Sequence, residues 1–241
     1  MNADLVDEKN LPYQNRDRDL KEHERTMLRL VQGAIPSRPI DVLDVGCADG
    51  LFLEALSRQV ECRTVHGLDN DPALVSVARA RTYRADHSRI VLESAWALAA
   101  DEPAPDSIRY DVIIASGILA FFEDQEGMIR AMCRHLASDG TLFVFNKIMS
   151  ADVDMRYAVR PSGSTTWGES RLVPSLRLLT ESMSKYLRDV TVERFELSFD
   201  LVPTSNVHST RTVRLADGSR MLVTNYNLVS ELAFIYGARR N

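Results

Sequence analysis

The chain has 241 residues, 45% of them hydrophobic and 26% charged, with 29 Lys plus Arg against 34 Asp plus Glu and a net charge of -5. This length supports one sizeable core, and the acidic balance argues against nucleic acid as the main partner, since phosphate binding shows as a basic surplus. No apolar run approaches a membrane span and the first residues do not read as a signal peptide, so a cytoplasmic protein without a membrane partner is expected.

Along the chain, a polar start leads into a helix expected from Arg18 to Gln32, with Met27, Leu28, Leu30 and Val31 as its apolar stripe. Gly33 stops it, and Pro36 and Pro39 make a short extended connector. Strands and helices then alternate. Ile40–Val45 reads as the first strand, Thr64–Asp69 the second, Arg89–Leu92 the third, Asp111–Ala115 the fourth and Thr141–Asn146 the fifth. Asp71-Pro72 is a strong helix start, with Asp71 as cap and Pro72 at the first helical position. A further helix spans Glu123 to Ala137, with Ser138-Asp139-Gly140 as its stop. Residues 148–171 read as an irregular loop, followed by a helix from Val173 to Leu187. Strands over Val190–Leu201, Thr210–Leu215, Arg220–Asn225 and Leu228–Tyr236 complete the chain, with Ala216-Asp217-Gly218-Ser219 as a hairpin turn. Near-continuously apolar strands separated by helices imply an α/β, three-layer sandwich around a mostly parallel sheet. The single domain of 1–241 divides into an N-terminal helical cap (1–39), a ligand-binding half (40–147) and a substrate-side lid with β-rich elaboration (148–241). That last part offers a surface for a homodimer.

The first strand runs into Gly46-Cys47-Ala48-Asp49-Gly50 and then a helix start, where α/β proteins hold nucleotide-like ligands. A dinucleotide needs glycines at G-x-G-x-x-G; here the positions are Gly46, Ala48 and Leu51, and the third is wrong. Asp44 and Asp49 also put two carboxylates where a pyrophosphate would sit. S-adenosylmethionine, with an ammonium, a sulfonium and no phosphate, fits better. Backbone N–H groups of the 46–50 loop are placed for its carboxylate, Asp44 for its ammonium, and Asp69, nineteen residues past Gly50, for its ribose hydroxyls. The three cysteines, Cys47, Cys62 and Cys133, form no CxxC; no disulfide framework or metal site is expected, and Cys47 reads as a small filler of the loop, not a nucleophile.

Val42–Gly50 resembles the first motif of the Rossmann-like S-adenosylmethionine-dependent methyltransferases, and Gly67–Pro72 resembles their second. Tyr110–Ser116 and His135–Leu142 are similar to their fourth strand and fifth-strand approach, so the resemblance spans about residues 40–146. It implies a seven-stranded sheet whose last strand is antiparallel, with the cofactor over strands one to four. It also implies Asn70 beside the ribose, Ser94-Ala95-Trp96 beside the adenine and Ser116 under the methionine portion. Two positions depart from the family pattern. Ser94 replaces an acid, and Ala120 stands where a histidine is common, so the resemblance supplies no general base.

Methyl transfer is an in-line displacement at a carbon already activated by sulfonium, so positioning and water exclusion carry much of the barrier. Tyr13 and Arg16, three apart, are placed to close over the cofactor. Asn146 and Lys147 end the fifth strand, Tyr157 lies in the 148–171 segment, and His208 is the one histidine of the substrate-side half. The expected activity is methyl transfer to a small molecule of specialised metabolism, with Asn146, Tyr157 and His208 as candidate catalytic residues. Two other readings remain open: intramolecular cyclisation of the cofactor with release of methylthioadenosine, and a non-catalytic protein that only binds it.

Overall fold

A computed structural model describes residues 19–93, 95, 98, 107–160, 162–168, 170–202, 210–224 and 228–240. Tyr13, Arg16, Ser94, Trp96 and His208 lie outside the described residues. Packing divides the chain into two compact units, Met1–Ile114 and Ala115–Asn241.

The first unit opens with helix α1 (Glu22–Ala34), whose buried face is Glu24, Met27, Leu28 and Val31. The helix begins later than Arg18 because Lys21 is extended; its N–H is taken by the Glu24 carboxylate at 2.6 Å, which satisfies one orphan donor of the first turn. Strand β1 (Ile40–Val45) is buried along its whole length and leads into α2 (Leu51–Gln59). Strand β2 (Cys62–Asp69) pairs in parallel with β1, Asp44 standing opposite Gly67. Helix α3 (Pro72–Arg79) starts as its sequence predicts: the Asp71 carboxylate accepts the N–H groups of Ala73 and Leu74. Strand β3 (Ala85–Leu92) is longer than expected. Its polar first half reads poorly as strand, but an edge position beside β2 leaves those side chains in solvent while the ladder carries the pairing. Strand β4 (Tyr110–Ser116) follows, and the strand order in this unit is β3-β2-β1-β4.

The second unit continues through a short 3-10 turn (Leu119–Phe121) into α4 (Gln125–His135). Strand β5 (Leu136–Met149) starts directly afterwards and includes Ser138-Asp139-Gly140, the expected helix stop. No left-handed glycine is needed there: Leu136 is already extended, and its carbonyl accepts from the Arg239 guanidinium. The expected loop over 148–171 is also partly regular, with β6 (Met155–Tyr157) and β7 (Arg171–Val173) forming an antiparallel ribbon. Helix α5 (Leu176–Ser184) is capped by the Ser175 hydroxyl, which accepts the Leu178 N–H at 3.1 Å. Strands β8 (Leu187–Phe195), β9 (Thr210–Arg214), β10 (Arg220–Thr224) and β11 (Val229–Arg239) complete the unit. β11 runs antiparallel to β5, and its other edge carries β10 at one end and β8 along the rest. The expected antiparallel strand is β11, and β8, β9 and β10 form the expected β-rich elaboration beside it. The β9–β10 turn forms as predicted, with Gly218 at φ 86. Among the described residues no helix is long and apolar enough to cross a membrane.

Candidate functional site

The turn after β1 is built by alternating backbone hands. Gly46, Ala48 and Gly50 take φ of 79, 48 and 72, of which only Ala48 carries a Cβ into that region. Glycine at 50 is required twice: a Cβ there would overlap the Tyr83 hydroxyl and sit 2.9 Å from the Ala78 Cβ. Gly67, opposite Asp44, leaves the space that the Cys47 thiol fills, 2.7 Å from where a Cβ would stand. Burial, with Asp44 and Asp69 beside it, pushes that thiol far above its ordinary range, so Cys47 is a filler and no nucleophile.

Four of the five N–H groups of the 46–50 loop are held by acceptors within the protein. Gly46 and Cys47 both donate to the Leu68 carbonyl, at 2.8 and 2.9 Å, and Gly50 donates to the Cys47 carbonyl at 2.9 Å. Ala48 donates to Asp69 Oδ2 at 2.9 Å, and Leu51 to Asp49 Oδ1 at 3.3 Å. The loop supplies shape and close approach, held by its own bonds.

Asp69 is the clamp of that shape. At the end of β2 its Oδ1 takes the Asp71 N–H, at 2.9 Å, while Oδ2 takes Ala48. An ionised carboxylate offers about four acceptor positions, so two remain for a ligand's hydroxyls. Asn70, next to it, is exposed.

Asp49 is not a second repelling charge. It is buried, and Arg81 reaches it with Nη2 at 3.1 Å and its carbonyl with Nε at 2.6 Å. Arg81 Nη1 lies 2.8 Å from Glu54, which Arg58 also bridges at 2.7 Å. Arg81 comes from beyond α3, 32 residues away, and no local pattern marks it.

Asp44 has no such partner. Its side chain is buried and Oδ1 meets no hydrogen-bond partner among the described residues. Burial first, then the charges of Asp69 and of Glu24 on α1, hold its carboxyl up at about 8. A buried acid surrounded by negative charge and lacking a donor fits a cation, and it opposes a phosphate. Asp69 beside it fits the diol of an adenosyl group. Glu24 is the contributor that sequence reasoning missed, because a charged residue on an amphipathic helix reads as solvated.

Other predicted site residues stand as follows. Ala95, in the turn beyond β3, is half-buried. In the second unit, Ser116 ends β4 half-buried, before Gly117 at φ 73. Asn146 in β5 is buried and its amide donates to the Lys147 carbonyl at 2.9 Å. Tyr157 in β6 packs half-buried against Met149, Val173 and Leu228.

A model of the methyltransferase domain matches residues 43–142. Over 181 residues the chain is 30% identical to the ubiquinone biosynthesis O-methyltransferase of Xylella fastidiosa (strain 9a5c), covering 70% of each chain. With the protein of the same description from Coxiella burnetii (strain RSA 331 / Henzerling II) it shares 27% over 180 residues, 63% of this chain and 70% of that one. In fold it is similar to the N-methyltransferase NodS from Bradyrhizobium japonicum WM9 in complex with S-adenosyl-l-homocysteine, with TM-score 0.55, 17% identity and coverage of 92% and 90%. The N-terminal domain of EvdMO1 with bound SAH gives TM-score 0.62 at 11% identity, covering 92% and 83%.

Proposed function

The chain belongs to the Rossmann-like S-adenosylmethionine-dependent methyltransferases, and from that premise we propose that it methylates a hydroxyl oxygen of a small-molecule acceptor. When bound, S-adenosylmethionine supplies a methyl group activated by its sulfonium. One observation carries the cofactor half of the reading: the buried, unpartnered Asp44 Oδ1 amid the charges of Asp69 and Glu24. In this reading Asp44 holds the ammonium, Asp69 and Asn70 hold the ribose hydroxyls, and Gly46, Cys47, Ala48 and Gly50 let the ligand approach the turn. Ser94, Ala95 and Trp96 flank the adenine, Ser116 underlies the methionine portion, and Tyr13 and Arg16 close the cap. The acceptor half is supported by the relatives described as O-methyltransferases, at 30% and 27% identity. Residues 40–147 then serve the cofactor and 148–241 the acceptor, with Asn146, Tyr157 and His208 on the acceptor side.

The test is incubation of the purified protein with S-adenosylmethionine and a panel of hydroxyl, amine and thiol acceptors, read by mass spectrometry. S-adenosylhomocysteine with an O-methylated product is expected. Methylthioadenosine without any acceptor would point to cyclisation instead, and methylation confined to amines or thiols would overturn the oxygen assignment.

A further inference from the structure

Lys147 is a half-buried cation near the carboxyl end of β5, opposite Leu232 of β11. Side chains alternate along a strand, so Phe143, Phe145, Lys147 and Met149 share one face. Phe145 belongs to a ring cluster, 4.7 Å from Phe234 and 5.7 Å from Phe195 between centroids. Met149, on the other side, packs with Val173, Leu228 and Tyr157. The lysine therefore interrupts an apolar row between two apolar clusters.

Among the described residues nothing pairs with its ammonium, and burial alone lowers its pKa. The charged groups of the neighbouring elements are engaged elsewhere. Glu231 of β11 pairs with Arg194 of β8, and Glu193 of β8 accepts the Tyr236 hydroxyl at 2.6 Å. Arg156 of β6 lies 3.1 Å from Glu123, and Arg171 of β7 stacks 3.5 Å over the Phe121 ring. A lysine that merely covered apolar surface with its stem would keep a solvated head and its ordinary pKa.

We propose that Lys147 is the general base that receives the proton of the acceptor hydroxyl. The proposal rests on the O-methylation reading. An oxygen nucleophile has to lose its proton, and Ala120 stands where the family resemblance would place a histidine to take it. The hydroxyl oxygen forms the new bond to the methyl carbon with its own electron pair. The carbon–sulfur bond breaks and its pair stays on the sulfur, which becomes a neutral thioether. The hydroxyl proton goes to Lys147 Nζ and from there to water.

Two measurements test it on the full chain. Competitive acetylation with acetic anhydride across pH, read peptide by peptide, reports the titration of each lysine without any turnover. Lys147 is expected to titrate well below its own midpoint in the urea-unfolded chain; an equal midpoint would overturn the proposal. Lys147→Met and Lys147→Arg are expected to lower kcat by about 10²- to 10⁴-fold with little change in KM, and to lose the acidic limb of the kcat/KM profile. Arginine keeps the positive charge and cannot give up its proton, so Lys147→Arg activity within about threefold of wild type would overturn the base role and indicate an anion-binding cation. If the wild type methylates amines but no hydroxyl, the O-methylation reading fails and the base role falls with it. Hydroxyl methylation that survives in Lys147→Arg defeats the base role alone.

Discussion

At the scale of residues, one carboxylate of the turn stands apart from the others. Asp44 is buried with an unpartnered oxygen and a carboxyl held at about 8, against an ordinary value of 3.8. The folded apo protein thus keeps a proton at neutral pH that the unfolded chain has released. Stability from this group is complete below about pH 4 and is lost as pH rises through about 8. Asp44→Asn is expected to abolish that slope in denaturant titrations and to leave the apo protein at least as stable. The same change is expected to weaken S-adenosylmethionine binding by about 1.5–3 kcal/mol, about 10- to 100-fold, because a charge-assisted bond is lost. Calorimetry checks it, and unchanged affinity would remove Asp44 from the site. The turn itself was legible, because Gly46 and Gly50 lie within one short motif and take the left-handed backbone there. Sequence reading misplaced Asp49, whose charge is answered by Arg81 from another part of the chain.

At the scale of elements, the Asp49–Arg81–Glu54 group ties the turn to α2 and to the segment after α3. Both Arg81 and Asp49 are almost fully buried, with side-chain exposures of 3% and 1%. Removing the cation takes Arg81 from the buried Asp49 while Glu54 keeps Arg58, and breaking a buried pair typically costs about 3–5 kcal/mol. Arg81→Met is expected to lose stability of that order in urea unfolding and to weaken cofactor binding through the turn. A loss below about 1 kcal/mol would mean that the carboxylates find water or protonate instead. The helix start at Asp71-Pro72 was legible, since both residues act on their immediate neighbours. The helix end near Gly140 was misread because β5 and the Arg239 guanidinium satisfy the chain there, and Arg239 is 103 residues from its acceptor. The β6–β7 ribbon was missed for the same kind of reason: three-residue strands carry too little periodicity to read, and only their pairing defines them.

At the scale of the whole molecule, the family membership makes ligand choice a measurable property of folding. A ligand that binds only the native state raises stability by about 2.7 kcal/mol at a hundredfold excess over its Kd. S-adenosylmethionine is therefore expected to raise Tm in proportion to the logarithm of its concentration, while NAD at equal concentration leaves it unchanged. An equal shift with NAD would contradict the adenosyl reading of the turn.

The sequence by itself determined the alternation of strands and helices and the family. Those signals are local: apolar periodicity, a capped helix start, a strand ending in small residues. Only the tertiary structure decided which carboxylate of the turn remains without a cation, that four loop N–H groups are held within the protein, and that Lys147 stands between two apolar clusters. Each of these depends on the environment of a side chain, and that environment is made by residues far apart along the chain.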